Sequence, residues 1–213
     1  TEAFDRLQRH FGGIDVLVNN AGVTQRDAFV NTRTSVYRKV MDVNFFGAVH
    51  CTRAAISSLL ARRGMIIVTS SVAGFAPLLG RSGYCASKHA LHGFFSTLRG
   101  ELKPDGVHVM LVCPTFVKTN LQTRALGGDG AVTAHPQSRL GRQDSPAHIA
   151  KIVCRCAAKR RSLVVNSFLG HVTYWLTRIA PGIYETLMAR SFRSEIQRGK
   201  GRGESFLKGG GEQ

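Results

Sequence analysis

Acidic residues and long apolar runs are scarce in this sequence. Its 213 residues include 13 Asp and Glu against 29 Lys and Arg, which gives a formal net charge of +16. No apolar run approaches the roughly 20 residues that a membrane-spanning helix needs. Hydrophobic residues make up 43% of the chain and charged residues 20%, as in a globular protein. A chain of this length predicts one domain with a core of its own.

Metal-binding or disulfide patterns of cysteine are missing too. The chain has five Cys, an odd number, and they fall within predicted helices and strands. Cys154 and Cys156 are one residue too close for the usual C-x-x-C spacing. We therefore predict no metal site and five reduced thiols, as expected in the cytoplasm.

The positive charge allows an anionic partner such as nucleic acid, acidic lipid or a phosphorylated cofactor. However, the Lys and Arg residues are dispersed, and no basic stripe interleaved with aromatic residues is present. This favours solvated surfaces and helix ends over nucleic-acid binding.

The main chemical signal is the pair Tyr84 and Lys88 at the start of a helical pattern. A spacing of four residues places both side chains on one face of a helix. A phenol with a pKa of about 10 is a poor proton donor or acceptor at neutral pH, and a nearby cation favours its ionised form. The pair alone is weak support, because the same spacing is common on surface helices.

Three further features precede this pair along the chain. An N-N-A-G motif at residues 19–22 follows an apolar run, Asn44 lies in a long helical pattern, and S-S-V-A-G at residues 70–74 closes another apolar run. Ser71 lies thirteen positions before Tyr84. Together these motifs resemble the short-chain dehydrogenase/reductase family, and the resemblance extends to about residue 165.

The resemblance implies an α/β fold with a Rossmann-type, doubly wound and mainly parallel sheet. Residues 1–197 are expected to form the catalytic domain, with a substrate lid at about 117–146 and an apolar helical region at about 168–193. Residues 198–213 are expected to form a disordered basic tail.

The local patterns predict about four strands, at Asp15–Asn19, Met65–Ser70, Val107–Cys113 and Leu163–Val165. They predict helices at residues 1–11, from about residue 34 to Arg63, at Tyr84–Leu102 and from Ser145 to Lys159. On the third helix, Leu91, Phe94, Phe95 and Leu98 are expected to be buried, and His89 and His92 to be ordinary helix residues.

By resemblance, Tyr84 transfers a proton at the substrate oxygen, and Lys88 lowers the pKa of Tyr84 and binds the ribose next to the nicotinamide. Ser71 is expected to hydrogen-bond the substrate carbonyl, and Asn44 to hold a relay water. The residues expected to contact the cofactor, besides Tyr84 and Lys88, are Asn19, Ala21, Gly22, Pro114, Val117 and Thr119. Thr115 stands where the family usually has Gly, which puts the backbone fit of this loop in question.

The implied function is NAD(P)-dependent interconversion of a carbonyl and a secondary alcohol. The apolar C-terminal region favours a steroid, lipid or acyl-type substrate, and NADP is slightly favoured over NAD. A pocket wall or a contact in a homo-oligomer is favoured for that region over contact with a membrane surface. The alternative is an inactive member of the family that acts as a dimerisation or basic binding module.

The family's glycine-rich phosphate loop, G-x-x-x-G-x-G, does not occur before Asn19. We therefore expect the fold to be N-terminally truncated. In that case the strand Asp15–Asn19 becomes an exposed apolar edge of the sheet, and such edges promote aggregation.

Overall fold

The computed structural model describes residues 2–133 and 143–191. Within these residues the backbone forms one parallel sheet of four strands, ordered as in the sequence. The strands are β1 (Val16–Asn19), β2 (Met65–Thr69), β3 (His108–Cys113) and β4 (Leu163–Val165). Since all neighbouring pairs are parallel, the carboxyl ends of the strands lie along one edge of the sheet. The predicted α/β class and the four predicted strands are confirmed.

Seven α-helices connect or follow these strands in the described residues. They are α1 (Glu2–Phe11), α2 (Thr34–Met41), α3 (Gly47–Arg62), α4 (Ser82–Leu102), α5 (Pro146–Ala158), α6 (Phe168–Ile179) and α7 (residues 181–191). Ser145 caps α5 by accepting a hydrogen bond from the His148 backbone N–H, as its Ser-Pro sequence predicts.

The sheet is covered on both faces. Alternate residues of β2 point to opposite sides: Ile66 and Val68 join a core with α3 and α4, whereas Ile67 joins a core with α5. The larger core also contains Phe95, which is fully buried. This three-layer arrangement accounts for the nearly continuous apolar sequence of the central strands.

The region between residue 34 and Arg63 differs from the uninterrupted helix that its periodicity predicts. A π-helical turn, Asp42–Phe46, separates α2 from α3. Such turns are rare and often occur at functional sites. Asn44 lies within this turn and is buried.

One burial prediction on α4 is wrong. Phe94 is exposed, whereas Leu91 and Phe95 are buried and Leu98 is half-buried. Phe94 packs edge-on against Phe45 and Phe95 at the helix surface, so its aromatic contacts do not require a core position.

Strand β1 pairs only with β2 among the described strands, and Val16 and Val18 are exposed. This matches the apolar edge predicted from the sequence. None of the helices described, in residues 2–133 and 143–191, is long and apolar enough to cross a membrane. Part of the predicted lid, residues 134–142, and the predicted tail, residues 198–213, lie outside the described residues.

Candidate active site

The candidate site lies at the carboxyl edge of the sheet, where parallel α/β folds bind ligands. Ser71 follows β2 by two residues, and its hydroxyl caps a short 3-10 turn by accepting a hydrogen bond from the Ala73 N–H at 3.1 Å. The first turns of α4 bring Tyr84 and Lys88 to the same place. The Lys88 Nζ donates a hydrogen bond to the carbonyl of Thr69, at the end of β2, at 2.8 Å.

The phenol of Tyr84 is buried, and burial raises its pKa to about 12. A side-chain hydrogen bond with Ser71 acts in the opposite direction, followed by the charge of Arg81. Ser71 and Arg81 thus lower the pKa of Tyr84, and the same role for Lys88, which the resemblance implies, stays a prediction. At neutral pH the phenol is protonated and can act as an acid.

Lys88 is only 4% exposed, and its Nζ lies 5.7 Å from the centroid of the Tyr84 ring. Burial lowers the pKa of Lys88 to about 8. Its ammonium group has three N–H donors. The bond to Thr69 uses one of them, so donors remain for a further partner. A buried ammonium with spare donors is suited to binding hydroxyl groups of a ligand.

Asn44 connects the π-helical turn to the start of α4. Its Oδ1 accepts a hydrogen bond from the Val23 N–H at 2.8 Å, and its Nδ2 donates to the Val23 carbonyl at 2.9 Å and to the Ser87 hydroxyl at 2.8 Å. Ser87 in turn donates to the backbone carbonyl of Tyr84 at 2.8 Å. Asn44 therefore holds the loop after the N-N-A-G motif against the helix that carries Tyr84 and Lys88.

Gly22 shows that the N-N-A-G motif reaches this site. A Cβ placed on Gly22 would lie 3.3 Å from Asn44 Oδ1 and 3.8 Å from Lys88 Nζ. A side chain here would occupy the space beside both polar groups. The structure brings Ser71, Tyr84, Lys88, Asn44 and Gly22 together at this edge of the sheet.

The other predicted cofactor residues occupy more peripheral positions. Asn19 donates a hydrogen bond to the Thr52 hydroxyl on α3 at 3.0 Å, and Ala21 is exposed. The carbonyl of Pro114 accepts a hydrogen bond from the Val72 N–H at 3.2 Å, which ties the end of β3 to the turn after Ser71.

Val117 and Thr119 lie farther along the same loop. Val117 forms an isolated bridge with Asp144. Thr119 is exposed and accepts a hydrogen bond from the Leu121 N–H. Their described contacts do not join them to Tyr84 or Lys88.

Thr115 does not strain the loop in which the family usually has Gly. Among the described residues, the non-glycine residues with positive φ are Arg63 and Arg160, so Thr115 adopts an ordinary conformation. Its backbone N–H donates to the Oδ1 of Asn166 at 2.9 Å. Asn166 directly follows β4 and was not singled out from the sequence, although its position at a carboxyl strand end could have indicated it.

The side chain of His92, predicted to be an ordinary helix residue, contacts both β3 and the turn after β2. Its Nε2 lies 3.4 Å from the Cys113 sulfur, and its ring packs against Phe75. Burial lowers the pKa of His92 to about 4, and burial raises the pKa of Cys113 to about 12. Both groups are therefore neutral near pH 7, and they form part of the packing beneath the site.

A cavity of about 380 Å³ lies on another part of the molecule. It is lined by Phe45 and by residues of α4 from Ala90 to Glu101, and none of the four candidate catalytic residues lines it. It is an apolar surface groove rather than the reaction site.

Comparison with known proteins agrees with this geometry. The family model described as short chain dehydrogenase matches residues 1–127. Dehydrogenase/reductase SDR family member 7B of Xenopus tropicalis is 39% identical over 86% of this chain and 60% of its own length. The Bos taurus protein of the same name is 35% identical over 91% of this chain and, again, 60% of its own length. The chain thus spans about three fifths of the length of these relatives.

Solved structures show the same fold. A short-chain dehydrogenase from Streptomyces avermitilis matches with a TM-score of 0.73 and 25% identity, over 91% of this chain and 75% of the other. A short chain dehydrogenase from Burkholderia cenocepacia, solved with NADP, matches with a TM-score of 0.73 and 20% identity, over 88% and 73% of the two chains. The family match covers more than half of the chain, and the four motifs meet at one edge of the sheet. The chain belongs to the short-chain dehydrogenase family.

Proposed function

We propose that this chain is an oxidoreductase that reduces a carbonyl to a secondary alcohol, or the reverse, with a nicotinamide dinucleotide. The observation that supports this best is the cluster of a buried, protonated phenol, a hydroxyl and a buried ammonium at one strand end. Such a cluster has a donor for a carbonyl oxygen, an acid to protonate it and a cation beside both.

Tyr84 is the proton donor in this proposal. As negative charge develops on the carbonyl oxygen, a phenol that is protonated at neutral pH can transfer its proton to that oxygen. The Ser71 hydroxyl donates a second hydrogen bond to the same oxygen and holds the carbonyl in place. When bound, the reduced nicotinamide supplies the hydride to the carbonyl carbon, which completes the alcohol.

Lys88 and Gly22 fit the cofactor. Lys88 has N–H donors to spare in a buried position, which suits the hydroxyls of the ribose next to the nicotinamide. Gly22 leaves space beside Lys88 that a Cβ would fill. Asn44 lies against the same backbone position, and we propose that it holds a water that returns a proton to the Tyr84–Lys88 pair.

Asn19, Ala21, Pro114, Val117 and Thr119 are proposed as more peripheral cofactor contacts. NADP is proposed ahead of NAD because the strong positive charge of the chain attracts the additional phosphate.

The proposed substrate is apolar, of the steroid, lipid or acyl type. Phe75, which follows Ser71 closely in the sequence, packs against Tyr174 of α6, with ring centroids 5.1 Å apart. Assembly into a homo-oligomer is also proposed, through the apolar groove beside Phe94 and Phe45.

The test is turnover of a panel of apolar ketones and aldehydes with NADPH and NADH, followed by the absorbance of the reduced nicotinamide. We expect Tyr84→Phe to lower kcat by about 10²–10⁴-fold, because it removes the acid. Ser71→Ala should lower kcat by about 10²–10³-fold through loss of one donor. Tyr37→Phe is the matched control, since it removes a phenol hydroxyl on α2, outside the proposed machinery.

Wild-type turnover in Tyr84→Phe would contradict the proposed role of the phenol. Absence of turnover in the parent chain, together with absence of cofactor binding, would favour the inactive binding module instead.

A further inference from the structure

Helix α6 has an exposed face that is entirely apolar. Positions four, three and four residues apart lie on one side of a helix. Along this side, Phe168 is 84% exposed, Trp175 is 59% exposed and Ile179 is 77% exposed, and Val172 between them is exposed as well. Globular proteins rarely leave such a contiguous patch of large apolar side chains in water without a partner.

The opposite side of α6 is fixed on the domain. Gly170 is buried, and a Cβ there would lie 2.6 Å from a Val165 methyl group. The Tyr174 ring packs edge-on against Phe75, and the Arg178 guanidinium lies 3.6 Å above the Tyr174 ring. These contacts determine which side of α6 faces outward.

Helix α7 shows the same separation of sides. Ile183 and Leu187 are exposed, whereas Met188 is buried. The hydroxyl of Tyr184 donates a hydrogen bond to the carbonyl of Pro77 at 2.8 Å, so α7 is tied to the loop before α4. Both helices therefore present apolar side chains to the outside next to the candidate active site.

The chain as a whole is strongly positive, with a formal net charge of +16. Residues 168–191, which form α6 and α7, contain two Arg and one acidic residue, Glu185. Arg178 and His171 border the apolar face of α6, and Arg190 lies one turn beyond Leu187 on α7. A second copy of this chain docked on the same surface would bring like charges together, as an isologous contact requires. An anionic surface would instead be attracted.

We propose that the apolar face of α6, formed by Phe168, Val172, Trp175 and Ile179, docks on the surface of an anionic lipid bilayer. A helix of 12 residues is about 18 Å long and lies in the plane of the interface rather than across it. Aromatic and aliphatic side chains enter the boundary between headgroups and acyl chains, and Arg190 contacts the anionic headgroups. This inference is independent of the proposed activity.

The chain offers an internal reporter, because Trp175 is its only tryptophan. The experiment mixes the full chain with phosphatidylcholine vesicles and with vesicles that also contain phosphatidylserine. We expect a blue shift of the Trp175 emission with the anionic vesicles, quenching by brominated acyl chains, and weaker binding at high salt.

The double variant Phe168→Ser with Ile179→Ser should reduce vesicle binding by at least about tenfold, because it removes two large apolar side chains from the interface. Phe11→Ser is the control, since Phe11 is 68% exposed at the end of α1, which packs against α3. It should bind vesicles like the parent chain.

Unchanged Trp175 emission with both kinds of vesicle would overturn the proposal, and so would equal binding of the double variant. Sedimentation distinguishes a lipid bilayer from a second copy of this chain as the partner of the α6 surface. A dimer that the double variant abolishes, without vesicle binding by the parent chain, would show that a second copy covers α6 and would also overturn the proposal.

Discussion

The ammonium group of Lys88 is buried, and burial disfavours its charged form. Its pKa is lowered to about 8 from an ordinary value of 10.5, so the unfolded chain binds more protons than the folded chain between these values. Stability against unfolding therefore rises with pH across this window and is lowest below it. Burial of this charged group at neutral pH lowers the free energy of unfolding, but it places a cation beside Tyr84.

Replacing Lys88 by Met should consequently stabilise the isolated protein at about pH 7. We expect an increase of roughly 1–3 kcal/mol in the free energy of unfolding, since the cost of burying the charge outweighs one hydrogen bond to Thr69. The gain should shrink as the pH rises from about 8 toward 10, because folded Lys88 loses its proton and its buried charge in this range.

Urea denaturation at both pH values measures this change. Lys103→Met is the control, because Lys103 is an exposed residue at the end of α4. A loss of stability in Lys88→Met at neutral pH would mean that the ammonium contributes more to the fold than its burial costs.

At the scale of the element, the π-helical turn explains how a polar residue comes to the centre of the site. The sequence predicts a regular helix through residues 42–46, since this segment has no proline and its apolar spacing continues on both sides. The turn places Asn44 where its amide satisfies both backbone groups of Val23 and the Ser87 hydroxyl. These partners are 21 and 43 residues away, so local periodicity does not indicate them.

Asn44→Ala should destabilise the fold as well as the site. The change leaves the Val23 N–H, the Val23 carbonyl and the Ser87 hydroxyl without this partner, which should cost roughly 2–4 kcal/mol. Thermal or urea unfolding of the variant measures the loss. Asn120→Ala, at an exposed position, should change stability by less than about 0.5 kcal/mol. Equal stabilities of the two variants would refute the structural role given to Asn44.

Other elements were predictable because their signals are local. The apolar runs of β2 and β3, the Ser-Pro start of α5 and the helical spacing of α4 all lie within a few residues of the structures they specify. The pairing of His92 with Cys113 and the exposure of Phe94 depend instead on how α4 is oriented against β3 and against solvent. The spacing of residues along one helix does not determine this tertiary orientation.

For the molecule as a whole, the parallel order of the strands brings the separate sequence motifs together in one site. N-N-A-G follows β1, Ser71 follows β2 and Pro114 follows β3, and parallel pairing brings these strand ends to the same edge. Family membership follows from the match over residues 1–127 and from the relatives. Binding of the nicotinamide dinucleotide by this chain is the central proposal.

Titration of NADPH and NADH into the chain, followed by thermal shift, tests that proposal most directly. We predict saturable binding, with an increase in melting temperature of about 5–10 °C at ligand concentrations near 100 times Kd. Lys88→Met should abolish this ligand-dependent increase, while Lys103→Met should keep it. A folded chain whose melting temperature does not respond to either dinucleotide, or responds equally in Lys88→Met, would contradict the proposal that Lys88 holds the cofactor in this site.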